Sequence, residues 1–383
     1  MQKTYSKLFF SKAVQLSYMN NEKLHIITRD AIALLQQLIA IPSLSKEEDK
    51  TGECIKSFLN ERSITVQQVL NNLWAVNKNY DPLKPTILLN SHHDTVPANS
   101  AYTRNPHQPQ IENGKLFGLG STDAGASLVS LMAAFIYFYD AVDMPYNILF
   151  AASAEEEISG TDGIEKLFED ELFSSFFKHP DSFAIVGEPT QLELAIAEKG
   201  LLVLDCEAIG KAGHAARDEG NNAIYKALEA INWFSSYQFD KVSPLLGKIK
   251  MTVTSMHTQN KAHNVVPAQC SFVVDVRVTE LYTHEEIIET IQQHVAVNIK
   301  PRSTRLKSSA ISAQHAVVKA GIALGKKTYG SPTASDQALI PLPSLKCGPG
   351  FSGQSHSADE FVEIRWIDEA VVFYVELLTG LIV

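Results

Sequence analysis

Thr86-Ile87-Leu88-Leu89-Asn90-Ser91-His92-His93-Asp94 decides the fold class. An apolar run without alternation reads as a strand buried on both faces, here over 86–90, and such strands belong to parallel sheets covered by helices. This one runs straight into two imidazoles and a carboxylate. The same grammar recurs downstream. A run over 146–152 leads into Glu155-Glu156-Glu157, and one over 183–186 leads into Gly187-Glu188-Pro189. A short strand near Leu345 leads through Gly348-Pro349-Gly350 to His356, and the helix after Gly118-Leu119-Gly120 begins near Asp123. Open parallel sheets bind ligands outside the carboxyl ends of their strands, so these groups are expected to meet in one crevice.

Helical spacing surrounds the strands. Ala31, Leu34, Leu35, Leu38 and Ile39 form one stripe, stopped by Pro42, and Ile55, Phe58 and Leu59 form a second. A helix over 124–139 carries Leu128, Leu131, Met132 and Phe135 on one face, and another is expected over 163–172. The alternation gives an α/β protein with a mainly parallel sheet flanked by helices.

From Lys199 the order changes to a strand over 201–209, a helix over 222–234 and strands over 248–255 and 271–278. A helix over 284–296 and a last short strand near Arg305 follow. This βαββαβ order is that of a ferredoxin-like split βαβ domain. Residues 199–307 therefore read as a domain inserted into a main domain of residues 1–198 and 308–383, which resumes with a helix near 315–325.

Composition narrows the function classes. The chain has 383 residues, 45% of them hydrophobic and 20% charged, an ordinary globular mix with no repeat. Lys plus Arg number 33 against 43 Asp plus Glu, a net charge of −10, so a nucleic-acid partner is not expected. Cys54, Cys206, Cys270 and Cys347 lie far apart without metal-site spacing and read as reduced packing residues. No stretch is expected to reach the roughly 18–20 apolar residues of a membrane span. The apolar run near the start is too short for a secretory signal, which gives a cytoplasmic expectation. Lys3, Lys7 and Lys12, with no acid before Glu22, suit either a frayed extension or a targeting or docking segment.

Two imidazoles and several carboxylates at one crevice would repel without a cation. Nitrogen-plus-oxygen ligation suits Zn(II), Co(II) or Mn(II), and one shared carboxylate would make a two-metal hydrolytic site. Gly118-x-Gly120 lacks the further glycine of a dinucleotide fingerprint and the lysine of a P-loop. His93 points away from His92 on an extended segment and reads as structural. Asp94 shares the face of His92 and either holds its imidazole tautomer or starts a turn before Pro97. The three glutamates are either a solvated acidic run or site residues, and their place after a buried strand favours the site.

His92-His93-Asp94-Thr95-Val96-Pro97, Gly118-Leu119-Gly120-Ser121-Thr122-Asp123, Glu155-Glu156-Glu157, Gly187-Glu188-Pro189-Thr190 and His356 closely resemble five metal-site blocks, in order, of one enzyme family. It is the family of acetylornithine deacetylase, succinyl-diaminopimelate desuccinylase, aminoacylase and carboxypeptidase G. The resemblance implies a zinc-exopeptidase-like catalytic domain with two Zn(II). His92 and Glu188 would hold one ion, Glu157 and His356 the other, and Asp123 would bridge them. Glu156 would be the general base. The family usually has Asp where this chain has Glu155, which leaves a one-residue slip open. Leu119 stands where Arg is common and Gly125 where Lys is common, and Glu188 resembles the deacylase branch. Gly210-Lys211-Ala212-Gly213-His214 resembles the family's segment whose histidine reaches across a dimer to the oxyanion. Asn264-Val265-Val266-Pro267 with Asp275-Val276-Arg277 resembles its substrate-carboxylate clamp. Taken alone, His214 could be an idle loop histidine and Arg277 a strand-end salt bridge.

The implied activity is that of a di-zinc amidohydrolase removing an acetyl or succinyl group from an N-acyl amino acid, most like acetylornithine deacetylase. It would act as a homodimer through the inserted lid domain. The rival is a dipeptidase or carboxypeptidase on the same scaffold, and the distant one is a metal-binding protein without catalysis.

Overall fold

The computed structural model describes residues 21–382, so Lys3, Lys7 and Lys12 lie outside the described residues. The chain forms two compact units. The first holds the described residues up to Ile196, then Ile311–Tyr329 and the chain from Ser335 onward; the second holds Ala197–Ala310 and Gly330–Ala334.

Unit one opens with α1 (Asn21–Ile39) and α2 (Asp49–Asn60), each burying one stripe. Two short strands follow, β1 (Gln67–Val69) and β2 (Asn72–Val76), then β3 (Thr86–His92). Next come β4 (Gln110–Glu112), β5 (Lys115–Phe117), α3 (Ala126–Phe138) and β6 (Asn147–Ser153). The pair α4 (Ile164–Glu169) and α5 (Glu171–Ser175) leads to β7 (Phe183–Val186) and β8 (Leu194–Glu198). The helix expected over 163–172 is thus broken. Asp170 leaves the helical conformation, and its carboxylate caps α5 by accepting from Phe173 N at 2.9 Å.

Unit two contains β9 (Gly200–Ile209), β10 (Gly213–His214), α6 (Ala223–Ser236), β11 (Lys250–His257), β12 (Val265–Val266), β13 (Gln269–Val278), α7 (His284–His294) and β14 (Asn298–Pro301). Its four-stranded antiparallel sheet has the order β11-β13-β9-β14. Apolar residues alternate along β9 and β13 and pack Leu202, Leu204, Phe272 and Val274 against Ala227, Phe234, Ile287 and Ile291 of the helices. The last strand is Asn298–Pro301 and not near Arg305. It pairs with β9 from Asn298 opposite Glu207 to Pro301 opposite Leu204, and proline, lacking an N–H, suits the end of an edge strand.

After two short strands, β15 (Ser309–Ala310) and β16 (Thr328–Ser331), separated by α8 (Ala316–Ala323), unit one closes with β17 (Ser344–Lys346), β18 (Phe361–Glu363) and α9 (Ile364–Ile382). Its main sheet runs β1-β2-β6-β3-β7-β17-β8. The centre is parallel: β3 lies between β6 and β7 in register from Thr86 opposite Asn147 to His92 opposite Ser153, and β17 adds parallel to β7. β1, β2 and β8 are antiparallel flanks that the sequence patterns do not announce. The α/β class holds, and every residue of β3 and β6 is buried.

One face of the sheet packs on α1, α2, α3, α8 and α9, and the other packs Trp74, Leu88 and Val186 against Phe173 and Ile340. Against expectation, Ser121–Phe138 is long and apolar enough to match a membrane span by length and composition. Its apolar character is that of a core helix, with 78% of the stretch buried inside the protein.

Candidate metal centre

Strand ends deliver the site. β3 ends on His92, which is 1% exposed, and the chain continues to His93 and Asp94. His93 turns away: its Nδ1 meets Thr51 Oγ1 and its Nε2 meets Asn71 O, both at 2.9 Å, a fully used structural imidazole. Asp94 acts in two ways. Its backbone carbonyl accepts from His92 Nδ1 at 3.0 Å, with the carboxylate 3.3 Å away. The carboxylate itself accepts from Ser45 Oγ at 2.7 Å and from the amides of Glu156 and Glu157 at 3.2 and 3.1 Å. The tautomer expected from the Asp94 side chain is thus held mainly by its backbone, while the side chain anchors the turn after β6.

That turn separates the three glutamates. Glu155 has φ +56°, is buried and donates its amide to Glu48 Oε1 at 3.1 Å, facing away from the cluster. Glu156 and Glu157 lie at the cluster. Glu156 Oε2 is 3.9 Å from His92 Nε2, and Glu157 Oε2 is 2.9 Å from His356 Nε2.

Asp123 sits in a turn, Ser121–Gly125, entered through Gly120 at φ +75°, where a Cβ would also approach Thr95 Cγ2 to 2.7 Å. The Asp123–Ala124 peptide is cis. The buried Glu360 carboxylate receives the amides of Gly120, Thr122 and Asp123 at 3.0, 2.7 and 3.0 Å. Asp123 then presents Oδ1 to His92 Nε2 at 3.4 Å and Oδ2 to His356 Nε2 at 3.6 Å. Two triads share it: donor atoms of His92, Asp123 and Glu188, and of Asp123, Glu157 and His356, each lie within 4.8 Å of one another.

The electrostatics are those of crowded acids. Burial, then the charge of Asp123, pushes Glu188 up to about 8. Burial raises Glu156 well above the carboxylate range, with Glu188, Asp336 and Glu157 adding to it against the pull of His92. Burial lifts Glu360 to about 7 despite its amides, and the hydrogen bond to Glu157 lifts His356 to about 9. Asp123 and Asp94 go the other way: burial would raise them, but His92 and their hydrogen bonds hold both carboxyls below the ordinary value. Among the described residues, His92 Nε2 is buried with no hydrogen-bond partner and points toward carboxylate oxygens, with Asp123 Oδ1 at 3.4 Å and Glu156 Oε2 at 3.9 Å. Burial would lower the imidazole, but the neighbouring Asp123 and Asp94 carboxylates raise it well above its ordinary pKa. Imidazole nitrogens and carboxylate oxygens converging in this way fit divalent cations.

The structure brings together His92, Asp123, Glu156, Glu157, Glu188 and His356, with Asp94 behind them. His214, Asn264 and Arg277 lie in unit two. His214 is exposed on β10 opposite Val265, and its Nδ1 accepts from Ala216 N at 3.1 Å. Asn264 O accepts from Ala215 N at 2.9 Å. Arg277 donates Nε and Nη2 to Asp275 at 2.8 and 3.0 Å, the strand-end salt bridge. Sequence reasoning missed Glu360, Asp336 and Glu48, which carry no motif of their own. Leu119 is buried, and at Gly125 a Cβ would meet Gly120 O at 2.5 Å, so the absence of a side chain there matches the packing.

Comparison with known proteins bears on the family and the fold. The model of peptidase family M20/M25/M40 matches residues 88–380. The chain is 24% identical over 378 residues to succinyl-diaminopimelate desuccinylase of Cereibacter sphaeroides (strain ATCC 17025 / ATH 2.4.3), covering 91% of this chain and 98% of that one. Among solved structures, an M20 family metallo-carboxypeptidase from Sulfolobus solfataricus superposes with a TM-score of 0.73 at 17% identity, over 92% of this chain and 99% of its own. A dinuclear metal binding peptidase of the M20 family from Bacillus subtilis gives 0.67 at 16% identity, over 94% and 99%. At such identities the structural likeness establishes the fold.

Proposed function

Because the chain belongs to peptidase family M20/M25/M40 and is an amide-bond hydrolase, we propose that it removes the acyl group, succinyl or acetyl, from an N-acyl amino acid. The observation that carries this reading is Asp123, whose two oxygens face two different imidazoles. His92 and Glu188 would hold one divalent cation, Glu157 and His356 a second, with Asp123 between them. Zn(II) suits this donor set best, with Co(II) and Mn(II) as alternatives. Bound there, the pair would supply Lewis-acid polarisation of the amide carbonyl and lower the pKa of water.

The chain's own groups do the rest. Glu156, beside His92 and outside both triads, takes the proton from the attacking water and delivers it to the departing amine, which cannot leave as an anion. Asp94 fixes the amides of Glu156 and Glu157, so base and ligand are aimed by one carboxylate. From the resemblance, His214 would stabilise the oxyanion across a homodimer, and Asn264 and Arg277 would grip the substrate carboxylate. The desuccinylase relatives support an acyl-amino acid substrate, as does Glu188.

The test is release of free amine from succinyl-diaminopimelate, N-succinylornithine, N-acetylornithine, N-acetylcitrulline and several dipeptides by metal-loaded protein beside a chelated control. Metal-dependent cleavage of an N-acyl amino acid is expected. Cleavage of dipeptides alone would replace this reading with that of a dipeptidase or carboxypeptidase.

A further inference from the structure

Behind the cluster lies a second carboxylate that none of these roles uses. Asn90 and Ser153 stand at the carboxyl ends of the adjacent parallel strands β3 and β6. His92 pairs with Ser153 and follows Asn90 by two, so all three side chains share one face of the sheet. Both Asn90 Nδ2 and Ser153 Oγ donate to a single oxygen, Asp336 Oδ2, at 2.8 and 2.5 Å. The neighbouring Gln337 donates Nε2 to Ser344 O at 2.8 Å, on the strand that leads toward His356. One short turn, Asp336–Ala338, therefore ties the ends of three strands.

Asp336 is 3% exposed, and its charge adds to those already raising Glu156 and Glu188. A buried carboxylate facing other acids is costly, and what offsets the cost here is its hydrogen bonding to the two strand ends. We propose that Asp336 is a positioning residue: it locks the ends of β3 and β6 together so that His92 on one and Glu156 and Glu157 beyond the other aim their donors at the same point. This rests on the ligand set of the proposed function.

The test is titration of the full-length protein with Zn(II) alone, in competition with a chromophoric chelator, alongside thermal melting of the metal-free protein. Asp336→Ala is expected to bind roughly 10–100-fold more weakly, the range found when groups that orient metal ligands are removed. Asp336→Asn, whose amide oxygen can accept both donors, should stay within about threefold of the parent. A merely structural carboxylate would lower the melting temperature and leave the affinity of the folded protein unchanged, and that result overturns the proposal. So does Asp336→Asn falling as far as Asp336→Ala, which would make charge and not the clamp responsible. Should Asp336→Ala fail to melt cooperatively, Ser153→Ala, which removes one oxygen, decides the matter: several-fold weaker binding supports the clamp, and unchanged binding refutes it. His92→Ala serves as control. If it binds Zn(II) like the parent, the ligand set itself is wrong; if it loses the metal while the Asp336 and Ser153 variants do not, only the positioning role fails.

Discussion

His92 Nδ1 donates to the backbone carbonyl of Asp94 at 3.0 Å. A carbonyl can only accept, so Nδ1 carries a proton and Nε2 is left to face Asp123. Because this contact uses the main chain, it survives substitution of Asp94. What the side chain adds is the anchoring of the Glu156 and Glu157 amides. Asp94→Ala is therefore expected to weaken metal binding by roughly 10–100-fold through misplacement of Glu157, with His92 still in place. Titration with Zn(II) against a chelator checks this, and parent-like affinity would refute it.

Glu156 stands beside the donor cluster without belonging to either triad, so base and ligands are separable by mutation. Glu156→Gln should lower kcat by about 10²–10⁴-fold, the usual worth of a positioned general base. Metal content after dialysis should stay at the parent value. Elemental analysis beside the amine-release assay distinguishes this from loss of a ligand, and turnover retained in the variant would assign the base elsewhere.

A pH dependence of stability is built into unit two. His284 is 3% exposed, its Nδ1 bonds Thr304 O at 3.0 Å, and its Nε2 is buried without a partner among the described residues. Burial lowers its pKa below 6.5. Between that folded value and the unfolded value near 6.5, the unfolded chain binds a proton that the folded chain refuses, so stability rises with pH. The contribution is complete above the unfolded pKa and is lost as pH falls through the window below it. His284→Gln, which can still donate to Thr304 O, should flatten the acid side of the profile. Melting parent and variant from pH 8 to pH 5 tests this; parallel curves would show that His284 does not carry the effect.

The parallel centre of unit one was legible because its strands are continuous apolar runs ending abruptly in His, Glu or Asp. The run from Thr86 contains both the strand and the approach to the site. The flanks were not legible, since β1 and β2 are three and five residues long and are held by pairing, β1 to β2 and β2 to β6, more than by any pattern of their own. The residues that present ligands directly follow strand ends or a glycine turn and could be found locally. Those that orient them could not. Glu360 meets amides 237 to 240 positions away, and Asp336 meets side chains 183 and 246 positions away, contacts that exist only after the sheet has closed.

Gly125 joins the two levels. From sequence it is a departure, a bare position where a lysine is common; in the structure it donates its amide to Gly120 O at 2.9 Å, closing the turn that carries Asp123. A Cβ there would stand 2.5 Å from Gly120 O and 2.6 Å from Leu35 Cδ1. The leucine can move, but the carbonyl belongs to the turn and cannot shift without carrying Asp123 with it. Gly125→Ala should therefore cost about 1–3 kcal/mol, as overpacked sites do, and also weaken metal binding. The two effects should appear together, as a lower melting temperature of the metal-free protein and a weaker Zn(II) titration. A variant that melts lower yet binds Zn(II) like the parent would show that the strain is absorbed by α1 and not by the Asp123 turn.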